Sequence, residues 1–128
     1  MGKIRVGVIG VVSLGQHHTR HFSENERCDL VGVVDSNEAA ATKVSRACHT
    51  QCLFDYKNLF GLVDAISIAV PTNVHYQVAS QFLDQGVHVL VEKPITNTVQ
   101  DARALIEQAK AKNLILQVGH IERFNAAI

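Results

Sequence analysis

The sequence has no excess of either charge and no long apolar run. Twelve basic and twelve acidic residues balance in the 128-residue chain, and no block of Lys and Arg could neutralise a row of phosphates. The longest apolar runs, such as 65–70 and 87–91, have the length of a strand and are too short to span a bilayer. The sequence therefore argues against a nucleic-acid partner and against a membrane-spanning protein.

An export signal and an even set of cysteines are also missing. The N-terminal apolar stretch is only a few residues long and leads into a glycine-bearing turn rather than a cleavage site. The three cysteines, Cys28, Cys48 and Cys52, are an odd number, which favours reduced thiols in a cytoplasmic protein. With 47% apolar and 19% charged residues, the chain has the composition of one globular domain with an ordinary hydrophobic core.

Apolar runs of strand length alternate with amphipathic helical segments along the whole chain. Strands are predicted at residues 3–9, 30–34, 51–54, 65–70, 87–91 and 114–118. Helices are predicted at 14–24, from the cap Asn37 to about Ala47, at 56–60, at 75–85 before Gly86, and at 99–112. This alternation predicts a doubly wound α/β fold, in which a parallel sheet is covered by helices on both faces.

The turn after the first strand has the spacing of a dinucleotide-binding loop. It reads Gly10-Val11-Val12-Ser13-Leu14-Gly15 and leads into a helix, whose N-terminal amides favour a pyrophosphate. Asp35 ends the second strand about 20 residues after Gly15, where a carboxylate accepts hydrogen bonds from the adenine ribose and repels a 2′-phosphate. These residues predict NAD as the cofactor in preference to NADP.

Val12 stands where the loop pattern has its middle glycine. Glycine at that position lets the backbone approach the pyrophosphate, and the branched side chain of Val12 takes up the same space. Either the loop binds the cofactor with adjusted geometry and lower affinity, or the site is impaired.

Four segments of the chain together match a known family. They are Gly7–Gly10 continuing through Gly15–His18, Ala69–Thr72 followed by His75, Glu92-Lys93-Pro94, and Gly119–Asn125. They resemble the Gfo/Idh/MocA oxidoreductases, which pair an N-terminal Rossmann domain with a C-terminal α/β substrate domain. The resemblance implies a Rossmann domain at residues 1–120, with 121–128 as the start of the connection to a C-terminal domain that is absent from this sequence.

The resemblance also implies roles for individual residues. Lys93 would be the catalytic residue, placed beside the nicotinamide so that its ammonium polarises a carbonyl or holds an alkoxide, although an exposed cation at a strand end is the alternative. Glu92 would lie near the nicotinamide ribose or, alternatively, be a plain surface carboxylate. The predicted cofactor-binding set is Gly10, Val12, Ser13, Leu14, Gly15, Asp35, Ala69, Val70, Pro71, Thr72, His75, Glu92 and Lys93.

The remaining candidate residues carry weaker signals. His120 and Arg123 would contact substrate or, alternatively, serve as caps or interdomain contacts, because Ala126 stands where related sequences usually have proline. No metal site is predicted: His18 needs only a packing or hydrogen-bonding role, and His88 is expected to be a hydrogen-bonded core or edge residue. The buried stripe of the helix at 99–112 is predicted to be Ala102, Leu105, Ile106 and Ala109.

These features predict the NAD-binding half of a dehydrogenase that acts on a sugar, nucleotide-sugar or cyclitol hydroxyl. The whole enzyme is expected to be a homo-oligomer, and the 128-residue chain alone is expected to bind cofactor with little or no turnover. Two alternatives stay open, a stand-alone nucleotide-binding regulatory module and an inactive remnant of the same fold.

Overall fold

Strands and helices alternate along the chain, as the sequence predicts. The computed structural model describes residues 3–10, 14–92 and 95–119, with the backbone alone for 14–17. The strands are β1 (Ile4–Ile9), β2 (Cys28–Val34), β3 (Gln51–Leu53), β4 (Ala65–Ile68), β5 (His88–Val91) and β6 (Leu116–Val118). The helices are α1 (Leu14–Glu24), α2 (Glu38–Ala47), α3 (His75–Asp84) and α4 (Val99–Ala111), with 3₁₀ turns at Tyr56–Leu59 and Thr72–Val74.

The strands form a parallel sheet in the order β3-β2-β1-β4-β5-β6. The helices α1 and α2 pack on one face of this sheet, and α3 and α4 pack on the other. The chain moves outward from β1 to β3 and then returns to the other side of β1 with β4. Open α/β sheets bind ligands at the carboxyl ends of the strands beside such a reversal. The predicted doubly wound fold is confirmed.

The larger core lies between the sheet and the layer of α3 and α4. Phe82 of α3 is fully buried and packs edge-on against Phe60, with ring centroids 4.9 Å apart. Leu105 and Ala109 of α4 are buried in the same cluster. The prediction that Ile106 is buried was wrong, because its side chain is 45% exposed. Successive side chains of a helix are about 100° apart around its axis. When Leu105 and Ala109 face the core, Ile106 is therefore rotated away from it towards solvent.

A smaller core lies beneath α1 and α2. Val8 and Val33 from the two central strands are fully buried there against Ala41 of α2. The Oδ1 atom of Asn37 accepts a hydrogen bond from the Ala40 amide at 3.0 Å, so the predicted N-cap of α2 is confirmed. Together the two cores cover both faces of the strands at the centre of the sheet.

β4 and β6 are each two residues shorter than the sequence predicts. β4 ends at Ile68 rather than Val70, because Val70 turns away and its carbonyl oxygen lies 2.7 Å from the His75 Nε2 atom. β6 begins at Leu116 rather than Leu114, because the Leu114 amide donates to the carbonyl of Ala109 at the end of α4. In both cases a polar backbone group forms a bond outside the sheet.

The sheet ends in very short edge strands. β3 and β6 each have three residues, and β3 pairs only with the last part of β2, from Gly32 to Val34. Beside the unpaired part of β2, the Thr50 hydroxyl donates to the Leu30 carbonyl at 2.9 Å. The Gln51 side-chain amide donates to the Val31 carbonyl at 3.0 Å. Side chains thus bind carbonyl groups of β2 where the short β3 does not reach.

At the amino end of the sheet, Arg5 and Asp64 join β1 to the segment before β4. The Arg5 guanidinium and backbone amide donate to the Asp64 carboxylate at 2.9 Å. These bonds and the positive charge hold the pKa of the Asp64 carboxyl below its ordinary value of 3.8. Because folding lowers the pKa of this carboxyl, its ionised form stabilises the folded protein at pH values above the unfolded-state pKa. This stabilisation is lost as the pH falls through the folded-state pKa.

We expect Phe82→Ala to lower the free energy of unfolding by roughly 3–5 kcal/mol, because it removes a fully buried ring and leaves a cavity. The matched control is Phe54→Ala. The Phe54 side chain is 53% exposed, so its removal should lower the free energy of unfolding much less. Urea unfolding followed by circular dichroism measures both values. Equal losses for the two variants would contradict this placement of the core.

We expect Asp64→Asn to destabilise the protein slightly at neutral pH and less at acid pH. The wild-type carboxylate loses its bonding to Arg5 as it is protonated, whereas the amide does not titrate. Urea unfolding of both proteins at pH 7 and about pH 3 tests this, and the difference between them should shrink at the lower pH. A difference that grows at low pH would show that the pKa shift has the opposite sign.

Candidate functional site

A cleft of about 820 Å³ opens at the carboxyl ends of the central strands. Its volume is in the range of pockets that hold small molecules. Five of the predicted cofactor-binding residues line it, namely Gly10, Asp35, Ala69, Val70 and Pro71. The lining also includes five residues that are not in the predicted cofactor-binding set, namely Ser36, Phe54, Tyr56, Val74 and Gln77. The strand order is the signal that would have found them, because it brings the end of β3 and the start of α3 to the same edge.

Gly10 sits where three strands end, and its position has no room for a side chain. Its φ angle is +86°, a conformation that other residues rarely adopt. A Cβ atom placed on Gly10 would lie 2.7 Å from the Ala69 carbonyl oxygen. The Gly10 amide also donates to the Val34 carbonyl at 2.7 Å. Glycine at this position therefore lets β1, β2 and β4 converge on the cleft.

Asp35 follows β2 and lines the wall of the cleft. Its Oδ1 atom accepts a hydrogen bond from the Asn37 amide at 2.9 Å, which closes the turn into α2. The Asp35 amide donates to the Leu53 carbonyl at 3.4 Å, so the residue is joined to the neighbouring strand as well. The carboxylate is thus held at the cleft by backbone contacts on both sides.

His75 is buried at the start of α3 and is not among the residues that line the cleft. Its Nε2 atom lies 2.7 Å from the Val70 carbonyl oxygen, and its Nδ1 atom lies 3.2 Å from the Ile95 carbonyl oxygen. The ring therefore joins a segment of the cleft wall to the segment that follows Lys93 and Pro94. Thr72, which also does not line the cleft, accepts a hydrogen bond from the His75 amide.

Glu92 is buried, with 6% of its surface exposed, so it is not a surface carboxylate. Its Oε1 atom lies 2.5 Å from the Nε2 atom of His18, which is itself 2% exposed. The Nδ1 atom of His18 contacts the Ser67 hydroxyl. Both nitrogens of the buried His18 ring therefore lie against polar side chains, the Glu92 carboxyl at Nε2 and the Ser67 hydroxyl at Nδ1. The hydrogen-bonding role predicted for His18 is confirmed.

Several predicted site residues lie outside the part that the structure describes. They are Val12, Ser13, Lys93, His120 and Arg123. Leu14 and Gly15 form the first turn of α1, where only the backbone is described. His88, expected to be hydrogen-bonded, accepts at Nδ1 from the Ile115 amide at 3.0 Å.

The described residues contain neither a metal centre nor a membrane span. Within 3–10, 14–92 and 95–119, no group of three or more His, Cys, Asp or Glu side chains is arranged to hold a metal ion. None of the helices in these ranges combines the length and apolar character needed to cross a membrane.

Comparison with known proteins identifies the family of this domain. The model of an oxidoreductase family with an NAD-binding Rossmann fold, Gfo/Idh/MocA, matches residues 4–120. The chain belongs to the Gfo/Idh/MocA oxidoreductase family. This confirms the resemblance that the four sequence segments indicate.

Three relatives of this chain, with their sequence identity and coverage, are compared with it below, beginning with a sugar dehydrogenase. UDP-N-acetylglucosamine 3-dehydrogenase of Acidithiobacillus ferrooxidans is 38% identical over 125 residues, covering 98% of this chain and 39% of that protein. Its crystal structure superimposes with a TM-score of 0.88 over 96% of this chain and 40% of its own. The chain thus spans about 40% of the length of this relative.

The other two structures contain different nicotinamide cofactors. GenD2 from gentamicin A biosynthesis, solved with NAD, has a TM-score of 0.89 at 26% identity over 93% of this chain and 35% of that one. Biliverdin reductase of Synechocystis, solved with biliverdin and NADP⁺, has a TM-score of 0.87 at 27% identity over 93% of this chain and 38% of its own.

We expect Gly10→Ala to be more destabilising than Gly86→Ala, although both glycines have positive φ angles of +86° and +80°. A Cβ on Gly86 would meet no atom within 4 Å, so that variant should lose only about 1 kcal/mol from backbone strain. Gly10→Ala adds a collision with the backbone of Ala69, and its loss should reach roughly 2–4 kcal/mol. Urea unfolding measures both, and equal losses would contradict the close approach at Gly10.

Proposed function

We propose that the cleft binds the adenosine half of NAD, and that the domain serves a dehydrogenase acting on a sugar, nucleotide-sugar or cyclitol hydroxyl. The observation that carries the proposal is the position of Asp35 in the wall of a cleft of about 820 Å³ that Gly10 also lines. Helix α1 begins four residues after Gly10, so its amino end lies at the same edge of the sheet. The adenine would lie against the cleft wall, the ribose would bind the Asp35 carboxylate, and the pyrophosphate would bind the N-terminus of α1.

The residues of the cleft fit NAD better than NADP. A carboxylate at the end of β2 accepts hydrogen bonds from the two ribose hydroxyls of adenosine. A 2′-phosphate at the same position would meet the negative charge of Asp35. The neighbouring Ser36 and Asn37 are neutral, so no cation is present in this turn to offset that repulsion.

Lys93 is the proposed catalytic residue. It follows Glu92, where the chain leaves β5 at the carboxyl edge of the sheet. The bound nicotinamide would supply hydride chemistry. The Lys93 ammonium would donate a hydrogen bond to the substrate oxygen and stabilise negative charge on it. His120 and Arg123 are proposed to contact the same substrate from the segment after β6.

The substrate class rests on the relatives. The protein that is 38% identical is a UDP-N-acetylglucosamine 3-dehydrogenase, and its name specifies a hydroxyl on a nucleotide-linked sugar. We propose a substrate of the same chemical kind, a polyhydroxylated ring. Hydride transfer requires a substrate held close to the nicotinamide with water excluded, and the cleft of this domain is open. We therefore propose that the 128-residue chain binds NAD without appreciable turnover.

We expect calorimetric titration to show NAD binding to the protein, and NADP binding more weakly or not at all. Asp35→Ala should weaken NAD binding by roughly tenfold to a hundredfold, since it removes charged hydrogen bonds to the ribose. The same variant should narrow the difference in affinity between NAD and NADP, because Asp35 no longer repels the 2′-phosphate of NADP.

The matched control is Asp29→Ala, which makes the same change of charge at an exposed position of β2. Asp29 does not line the cleft, so NAD affinity should stay close to wild type. If folded wild-type protein binds neither nucleotide, the cofactor assignment fails and the fold is an inactive remnant. Binding of NAD that Asp35→Ala leaves unchanged would reject the assigned position of the adenosine ribose.

A further inference from the structure

Phe54 is an exposed aromatic residue in the wall of the cleft. Its side chain is 53% exposed, whereas Phe22, Phe60 and Phe82 are buried or half-buried. Among the exposed large hydrophobic side chains of the described residues, that of Phe54 alone lines the cleft. A single exposed apolar side chain is ordinary on a protein surface, but one inside a cleft is available to whatever binds there.

The Phe54 ring is not used in the packing of the protein. Tyr56, two residues further on, packs its ring against Phe60 and Phe82, with centroids 6.3 and 6.0 Å apart. Within the part of the chain that the structure describes, Phe54 makes no such ring contact. Its aromatic face is therefore free to contact a ligand.

The backbone is held on both sides of Phe54. Before it, the Leu53 carbonyl accepts a hydrogen bond from the Asp35 amide at 3.4 Å. After it, the Asp55 side chain caps the next 3₁₀ turn by accepting from the Lys57 amide at 2.9 Å. The place of Phe54 beside the cleft is thus set by contacts within the protein.

Phe54 also has a definite place in the order of groups along the edge of the sheet. Three neighbouring strands end there in the order β3-β2-β1. The predicted phosphate loop follows β1, Asp35 follows β2, and Phe54 follows β3. Val34 is paired with Leu53, so Asp35 and Phe54 occupy the next positions side by side. Neighbouring strands are about 4.8 Å apart, so ligand groups bound at these two residues are adjacent.

The adenosine half of NAD has its parts in the same order. The pyrophosphate is joined to the ribose, and the ribose is joined to the adenine. With the pyrophosphate proposed at the N-terminus of α1 and the ribose at Asp35, the adenine continues towards the end of β3, where Phe54 lies. Adenine is flat, and a base that stacks on an aromatic side chain gains affinity from that contact.

The other side of the cleft is apolar as well. Val70, Pro71 and Val74 line it, and they follow β4 along the chain. Strands β2 and β1 lie between β3 and β4, so these residues are across the cleft from Phe54. A flat ring that enters the cleft therefore has apolar groups on both sides.

We infer that the Phe54 ring is the platform on which the adenine of the cofactor stacks. The inference rests on the proposed function, because it assigns one part of the ligand proposed for this cleft. It makes Phe54 a determinant of affinity for every ligand that carries the adenosine half.

The first test compares two substitutions at position 54. Phe54→Tyr keeps an aromatic ring, whereas Phe54→Leu keeps an apolar side chain without one. In calorimetric titration with AMP, Phe54→Leu should lose affinity roughly tenfold and Phe54→Tyr should change by less than about twofold. Because Phe54 is exposed, both variants should fold as the wild type does, and circular dichroism checks this.

The second test uses the absence of tryptophan from the chain. Phe54→Trp places a lone indole at the proposed platform, and Ile106→Trp places one at an exposed position of α4 that does not line the cleft. Adenine stacked on an indole quenches its fluorescence. AMP should therefore quench Phe54→Trp saturably, over the concentrations at which calorimetry shows binding, and should leave Ile106→Trp unquenched.

Equal changes of AMP affinity in Phe54→Leu and Phe54→Tyr would overturn the inference. AMP binding to Phe54→Trp without quenching would also overturn it. In both outcomes AMP still binds, so the proposed function stands. A folded wild-type protein that binds neither AMP nor NAD rejects the proposed function itself, and the inference with it.

Discussion

The close approach of three backbones at Gly10 is the constraint on which the site depends. Its amide bonds to Val34 of β2, and a Cβ would lie 2.7 Å from the carbonyl oxygen of Ala69 beyond β4. Because β1 lies between β2 and β4, this contact fixes the distance between the two walls of the cleft. Asp35 on one wall and Val70 on the other can face a common ligand only while that distance is kept.

The sequence predicts most of the fold because its signals are local. The bounds of α1 agree to the residue, and Asn37 caps α2 as expected, since caps and periodicity depend on neighbours along the chain. Ile106 was misplaced because a stripe of apolar residues does not reveal which part of it meets the neighbouring helix. The early end of β4 depends on a bond from Val70 to His75, which periodicity does not show.

The candidate site was predictable in part for a similar reason. Gly10 and Asp35 belong to a motif of fixed spacing, so the sequence alone places them together. The contact of His18 with Glu92 joins residues that lie 74 positions apart by their numbers, and only the strand order brings them together. One local sign was present, because Ser67 is the single polar residue of the apolar strand β4.

The short edges of the sheet have a consequence for behaviour in solution. An edge strand exposes backbone amides and carbonyls that can pair with another chain, and long flat edges lead to aggregation. Here β3 and β6 offer three residues each, and the Thr50 and Gln51 side chains already bind carbonyls of β2 beyond the end of β3. A second sheet approaching this side meets few unpaired backbone groups, so the architecture itself disfavours edge-to-edge polymerisation.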